Sequence, residues 1–411
     1  MLLPAEKWDP KWLAALFLGA VFLLFPIAEK AIFDLPVYPS EVALALALCF
    51  GVVSCIREKR GLSVVAHPGI TLFAGLSLLF LMGTILSWAT HAPTLSGLGK
   101  LKSFYLLPVF FGLALPFFLK ESAKLQLVLR LWAFGTWAAA IAAVVSATQG
   151  WLLYDGRLAG PYTSANYLAV LLAPGSVLAL YFLATRERSS MKWFAFSGGI
   201  LTSIAIFLTH SYATWFALAM SLFLGAVLFL RTTVGMRWRY VIVPIIFVAG
   251  ILWFETGTEK WTQLVSADPR SSLASRQMIW TVATDIATDH LWTGIGPANF
   301  QTQYLDYQKY YPLYLEWAVP TPHNLWLHFW LEGGMLSIIA WSGIVLFLIW
   351  YSWQSFGSAS AEKRRLIALG VTLVSFYCLY GLVDTPYMKN DLSFAVWGAI
   401  GLLMASLRLK A

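Results

Sequence analysis

The chain has 411 residues, of which 59% are hydrophobic and 12% charged, roughly half the charged share of a soluble domain. That composition excludes a soluble globular fold, because no core of this size could hide so much apolar surface from water. The net charge of +8 is divided among short connectors instead of gathered into a patch, which excludes nucleic-acid binding as its purpose.

A membrane-spanning helix needs about 20 predominantly apolar residues, and such stretches recur from end to end. The expected spans run over 12–27, 41–56, 70–88, 103–119, 127–147, 165–185, 193–209, 212–230, 240–254, 323–350, 366–383 and 392–407. The first follows Lys7 and Lys11 as a signal peptide would, but no small-residue cleavage pattern comes after it, so it stands as the first helix. An even count of spans places both termini on one side. Basic residues near span ends concentrate on the cytoplasmic side, and with the termini inside, 19 of the 28 Lys and Arg fall there. Acidic residues lean the other way, 6 inside and 14 outside. Cys49, Cys55 and Cys378 lie in or beside apolar runs without metal-like spacing and read as core residues.

The fold class expected is an all-α polytopic membrane protein of about 12 transmembrane helices with one large, ordered extracytoplasmic (periplasmic) loop. Residues 1–254 carry spans one to nine, 255–322 form the loop, with an amphipathic helix over 272–290, and 323–411 carry the last three spans. The loop's 68 residues far exceed the usual connector length. Its wealth of Trp, Tyr and Leu argues for order, so chemistry is expected at the outer surface.

Within that loop, Ser271 to His290 reads as a helix opened by Ser271 or Ser272 after Asp268-Pro269. With Arg276 at zero and 100° per residue, Ile279, Trp280, Ala283, Ala287 and His290 lie within about 60°. Arg276 is therefore expected in the middle of the apolar face, while Gln277, Thr281, Thr284, Asp285 and Thr288 form the wet one. A guanidinium turned inward needs an anion: a phosphate held bidentately, or a loop carboxylate in a structural ion pair. In Pro320-Thr321-Pro322-His323-Asn324 an extended, proline-fixed segment meets a long helix. The positive helix end disfavours imidazolium, so His323 is expected to be neutral and able to act as a base; the plainer role is a helix cap. Glu332, inside the span beside Gly333-Gly334, is either a buried structural acceptor or part of a polar pathway. Gly334, eleven positions after His323, returns to nearly the same face and permits close packing.

The last outer turn, Gly381 to Asp391, gathers Asp384, Lys389, Asn390 and Asp391. It reads as a capped turn, with Asp391 at the N-cap, or as a source of partners for Arg276 or a sugar. Arg157 precedes Asn166 at a span entrance and suits phosphate contact or interfacial anchoring equally. Lys100 and Lys102 are expected to snorkel. No phosphate-binding glycine loop, zinc motif or paired-carboxylate hydrolase site is evident.

In their order, Ser275-Arg276-Gln-Met-Ile-Trp280, Leu291-Trp-Thr-Gly294-Ile-Gly296-Pro-Ala-Asn-Phe300 and Pro322-His323-Asn324 through Trp330-Leu-Glu332-Gly-Gly334 resemble the O-antigen ligase and polymerase family of membrane glycosyltransferases. Arg157, Gly160 and Asn166 fit its upstream pattern, and Gly381 to Asp391 its end. The resemblance implies a GT-C-like architecture in the cytoplasmic membrane and a donor glycan on undecaprenyl pyrophosphate. It also implies an acceptor hydroxyl on a lipid or glycan such as a lipid A core, with neither metal nor cofactor. Arg276 would contact the diphosphate and His323 would aid the acceptor hydroxyl, with direct displacement inverting the anomeric carbon. Asn324, Glu332, Gly334, Asp384 and Asn166 would support them.

One departure from the family pattern falls at Thr209-His210-Ser211-Tyr212, where Tyr212 stands in place of a second arginine. A phenol supplies one hydrogen bond and no charge, so the clamp is expected to recruit His210, Arg157 or Lys389. Ligation and polymerisation share donor and leaving group and are not separated by sequence. A transporter of lipid-linked glycans would instead place polar groups near the midplane, whereas these cluster outside. An inactive scaffold is motivated by Tyr212 alone.

Overall fold

The computed structural model describes residues 9–24, 30–32, 35–57, 67–91, 93–185, 187–230, 271–311 and 317–409, with scattered residues between 250 and 266. The expected span 240–254 apart from Gly250 and Trp253, together with Asp268-Pro269 and most of 255–270, lies outside the described residues.

The helices in chain order are α1 (Pro10–Leu23), α2 (Pro39–Arg57), α3 (Pro68–Thr90), α4 (Leu95–Phe118), α5 (Ser122–Thr148), α6 (Ala165–Ala184), α7 (Ser189–Leu208) and α8 (Tyr212–Leu230). There follow α9 (Ser272–Asp289) and α10 (Phe300–Gln308) of the large loop, then α11 (Leu325–Ser358), α12 (Ala361–Tyr380) and α13 (Asn390–Arg408). Among the described residues eight helices are long and apolar enough to cross a membrane, and α1 and Tyr212–Leu228 are shorter apolar helices. The chain is thus a polytopic membrane protein. A two-stranded antiparallel hairpin, β1 (Lys30–Ile32) with β2 (Leu35–Val37), interrupts the all-helical pattern between α1 and α2.

Helix α11 packs along α3, α13 along the second half of α4, α12 along α8, and α1 along both α2 and α5. Aromatic side chains fill the centre of the bundle. Phe329 of α11 meets Phe80 edge-on at 4.9 Å and Trp341 at 4.8 Å between ring centres, and the Trp397 indole donates to the Tyr387 hydroxyl at 2.8 Å. Apolar area removed from lipid gives no hydrophobic gain, so such close packing and internal hydrogen bonds must carry helix association. Between α3 and α11 the Ser337 hydroxyl donates to Phe80 O at 3.0 Å and lies 3.3 Å from the Thr84 hydroxyl. The three cysteines are free; Cys49 is exposed and the other two half-buried, so none is a core residue.

The long helix α11 is broken at Gly334, whose φ of 65° and ψ of −169° are not helical. Sequence periodicity treats it as one continuous helix, and the face-sharing of Gly334 with His323 therefore does not hold. The break releases backbone groups at a buried stretch, Leu331 to Gly334, where they need partners within the protein. The segment Leu291–Ile295 fills the gap: Ile295 N donates to Leu331 O at 2.6 Å and Met335 N to Leu291 O at 3.1 Å. The Trp330 indole donates to the same Leu291 O. A Cβ on Gly334 would sit 2.1 Å from Trp292 O, and one on Gly294, also left-handed, 2.4 Å from Leu331 O. Both positions need glycine for backbone conformation and for close approach. Gly334→Ala or Gly294→Ala is expected to destabilise the protein by at least about 1 kcal/mol from the left-handed conformation alone, with more from the clash. A melting temperature in detergent equal to that of the wild type would count against this docking.

Candidate functional site

Three segments distant in sequence meet at the Asp384 carboxylate, in the turn between α12 and α13. Oδ1 lies 2.7 Å from His323 Nδ1 and accepts from Thr385 N at 2.8 Å. Oδ2 accepts from Asn166 Nδ2 at 3.0 Å and from the Tyr380 hydroxyl at 3.1 Å, and lies 3.5 Å from an Arg276 guanidinium nitrogen. Asn166 Oδ1 accepts from Arg157 at 2.7 Å, and Arg157 Nε donates to Thr209 O at 2.7 Å. A chain of bonds therefore runs from Arg157 through Asn166 and Asp384 to Arg276 and His323.

Local sequence explains the placement of each group. The Ser271 side chain accepts from Ala274 N and caps α9, as its position before the helix suggests. The buried face of α9 is centred on Ile279 with Val282, Ala283, Ile286 and Ala287, about 60° round from the expected centre. Arg276 consequently sits at the edge of that face and not in its middle. From there its side chain, 18% exposed, reaches Asp384, with NH1 donating to Ser272 O and Nε buried without a partner among the described residues.

His323 is not part of the helix start. Asn324 is the N-cap of α11, its carbonyl oxygen accepting from Trp326 N and Leu327 N, and its Nδ2 donates to Leu382 O. The segment around His323 is also not extended, since His323 has a φ of 46°, a conformation a non-glycine residue holds only when its neighbours enforce it. They do: the Trp280 indole donates to His323 O at 3.1 Å, and Leu325 N to Gly381 O at 2.7 Å.

Burial alone would push the Asp384 carboxyl up. The charge and hydrogen bond of His323, the Arg276 guanidinium and the Thr385 amide outweigh it and hold the group well below the usual carboxylate range. An ionised carboxylate only accepts, so His323 Nδ1 carries a hydrogen and Nε2 is the nitrogen that can take a proton. Arg157 is shifted down by burial, against which Asp155 and Asp384 act.

Other expected site residues are placed differently. Lys389 is itself the N-cap residue of α13, and its ammonium lies 5.6 Å over the ring of Tyr167, next in chain to Asn166. Asp391 falls in the first turn of α13, not at the cap, and accepts from the Tyr162 hydroxyl and Leu392 N. Tyr212 opens α8 with its ring 5.2 Å from Trp215, and His210, also left-handed at φ 47°, packs on Phe207 and Trp215.

Glu332 and Gly334 stand apart from the Asp384 cluster. Glu332, 1% exposed, accepts from the Tyr105 hydroxyl at 2.5 Å and lies 3.4 Å from Ala298 N, 3.5 Å from His328 Nε2 and 3.8 Å from Lys100 Nζ. Tyr105 is carried on a π-helical turn, Leu101–Leu106, within α4, a register insertion that frequently marks constrained sites. Lys100 thus turns inward and Lys102 pairs with Glu41 at 3.0 Å, so neither is explained by snorkelling alone. Sequence reasoning missed Tyr380, Tyr105 and His328. Tyr380 precedes Asp384 by four residues, a one-turn spacing that could have signalled it.

The depressed carboxyl makes a testable statement about stability. Its contribution is complete above the unfolded carboxylate pKa of about 3.9 and is lost as pH falls through the lower folded value. Asp384→Asn is expected to cost on the order of 2 kcal/mol at neutral pH, less than a fully buried pair because Arg276 and His323 both keep some solvent. It should also flatten the acid limb of the melting-temperature profile below about pH 4. A variant with the wild-type profile would remove Asp384 as the organising charge.

A family model described as O-antigen ligase matches residues 197–342, a segment that includes Tyr212, Arg276, His323, Asn324, Glu332 and Gly334. No curated protein matches the chain.

Proposed function

We propose, from the match of residues 197–342 to a family model described as O-antigen ligase, that the chain transfers a glycan from undecaprenyl pyrophosphate to an acceptor hydroxyl at the outer face of the cytoplasmic membrane. The observation that carries this reading is the meeting of Arg276, His323 and Arg157 around Asp384, bringing two guanidinium groups and a proton-accepting imidazole into one cluster. The last outer turn and the α6 entrance, both outside the matched segment, complete the cluster. In this reading the described loop residues 271–311 and 317–322 meet the α6 entrance and the turn between α12 and α13 to form the active site.

In the proposed reaction the acceptor hydroxyl gives its proton to His323 Nε2 as its oxygen bonds to the anomeric carbon. The bond from that carbon to the pyrophosphate oxygen breaks, and its electron pair leaves on the diphosphate. Arg276 meets the developing charge, with one N–H not engaged among the described residues, and Arg157 supplies the second cation that Tyr212 does not. Asp384 fixes the imidazole ring and steadies its charged form after proton transfer. Attack opposite the leaving group inverts the anomeric configuration, and no metal is required because the arginines take the leaving-group charge. Asn324 holds the His323 segment through its bonds to the α11 start and to Leu382 O. The polymerase reading keeps every step and replaces the acceptor by another glycan.

Purified protein supplied with a lipid-linked glycan and a defined acceptor is expected to release undecaprenyl pyrophosphate. Arg276→Ala should lower turnover by about 10²–10³, and His323→Gln by about 10²–10⁴ with donor binding retained. Full turnover by Arg276→Ala in a folded protein would take the arginine out of the mechanism. Linkage analysis of the product separates ligation from chain extension. Tyr212→Arg should raise donor affinity if that position faces the diphosphate, whereas Arg157→Gln should lower it; the reverse pattern would move the second cation away from Arg157.

A further inference from the structure

A cavity of about 660 Å³ opens between α8, α11 and α12, lined by residues such as Leu224, Val345, Ile349, Val371, Val374 and Cys378. The lining is almost wholly apolar, so within a bilayer it excludes water and admits a hydrocarbon chain. Its position on α12 separates it from the Asp384 cluster. Ile367, Val371, Val374 and Cys378 share an arc of about 60°, while Tyr380, whose hydroxyl donates to Asp384, lies about 200° from Cys378 around the helix. A lipid whose head occupied the Asp384 cluster would have its tail on the other side of α12.

The other end of the groove meets a cation. Phe356 and Gly357 line it, and Arg364 donates to Gly357 O at 2.8 Å with its guanidinium 6.0 Å from the Phe356 ring centre. Arg364 Nε is buried without a partner among the described residues. The neighbouring carboxylate, Glu362, accepts from the Ser122 hydroxyl. Lys363 and Arg365 flank the position, at the end of the bundle that carries the basic connectors. From Ile367 to Cys378 the groove follows about 16 Å of helix, roughly half of the ~30 Å hydrocarbon core. That length suits the acyl chain of one leaflet.

We propose that the groove between α8, α11 and α12 holds one acyl chain of an anionic glycerophospholipid, with the lipid phosphate on Arg364. The site is independent of glycan transfer and of the donor. The phosphate would take the unpartnered N–H and offset the clustered positive charge, while the chain fills space that would otherwise leave three helices poorly packed. An anionic headgroup near one basic side chain gains about a fivefold preference over a zwitterionic one.

The test is native mass spectrometry of the full chain in mild detergent, with phosphatidylglycerol, phosphatidylcholine and undecaprenyl phosphate present at equal concentration. Wild-type protein is expected to carry one phosphatidylglycerol in about fivefold preference to phosphatidylcholine. Arg364→Gln should bring that ratio close to one, while Val371→Phe, which narrows the groove, should reduce both phospholipids without changing their ratio. Arg364→Lys, which retains charge at the rim, should keep most of the preference and guards against a folding defect in the Gln variant. An unchanged ratio in Arg364→Gln, undiminished binding in Val371→Phe, or undecaprenyl phosphate displacing phosphatidylglycerol in a Val371→Phe-sensitive way would each overturn the proposal. None of these results bears on transferase activity, which is assayed separately.

Discussion

A single buried carboxylate constrains one end of this protein's helical bundle. Asp384, 5% exposed, would be costly to ionise without partners, and its two oxygens are met by His323, Thr385, Asn166, Tyr380 and Arg276. Those partners come from the turn itself, from the end of α12, from the entrance of α6, from the loop helix α9 and from the residue before the cap of α11. Satisfying one charge therefore fixes the relative positions of five chain segments. The same bonds orient the imidazole and bring two arginines to its side, so the requirement that stabilises the turn also builds the candidate site.

The broken helix α11 solves the complementary problem of seating a large loop on a helical bundle. A continuous helix would present a closed surface with no backbone groups to share. By opening at Gly334, α11 exposes Leu331 O and Met335 N, and the Leu291–Ile295 segment pairs with both. That segment directly follows α9, so the depth and angle of the docking determine where Arg276 arrives. The buried Glu332, held by Tyr105 and close to Ala298 N, His328 and Lys100, lies beside this seam. It belongs to the scaffold that carries the loop, one step removed from the Asp384 cluster.

Tyr212 brings no charge to the start of α8, but a guanidinium stands beside that run. Arg157 lies against the same run, bonded to Thr209 O, and is joined to Asp384 through the Asn166 amide. Positive charge absent from the start of α8 is thus present nearby on the segment before α6. A guanidinium on either segment presents the same charge and planar fork of donors, whatever its chain origin.

Sequence by itself determined the solvent and the order of the parts. Hydrophobic runs fix membrane spans because the bilayer demands them residue by residue, and Ser271 announces the start of α9 because a cap acts within one turn. Local chemistry also marked Arg276, His323, Asn166, Arg157 and Asp384 as polar groups in need of partners. Which of them pair was decided only by tertiary structure, since the bonds to Asp384 connect residues up to 218 positions apart. Likewise, the break at Gly334 and the left-handed backbone of His323 arise from Trp292 and Trp280 arriving from the distant loop. No periodicity within one segment encodes them, because the forces that hold them belong to the contact and not to the segment.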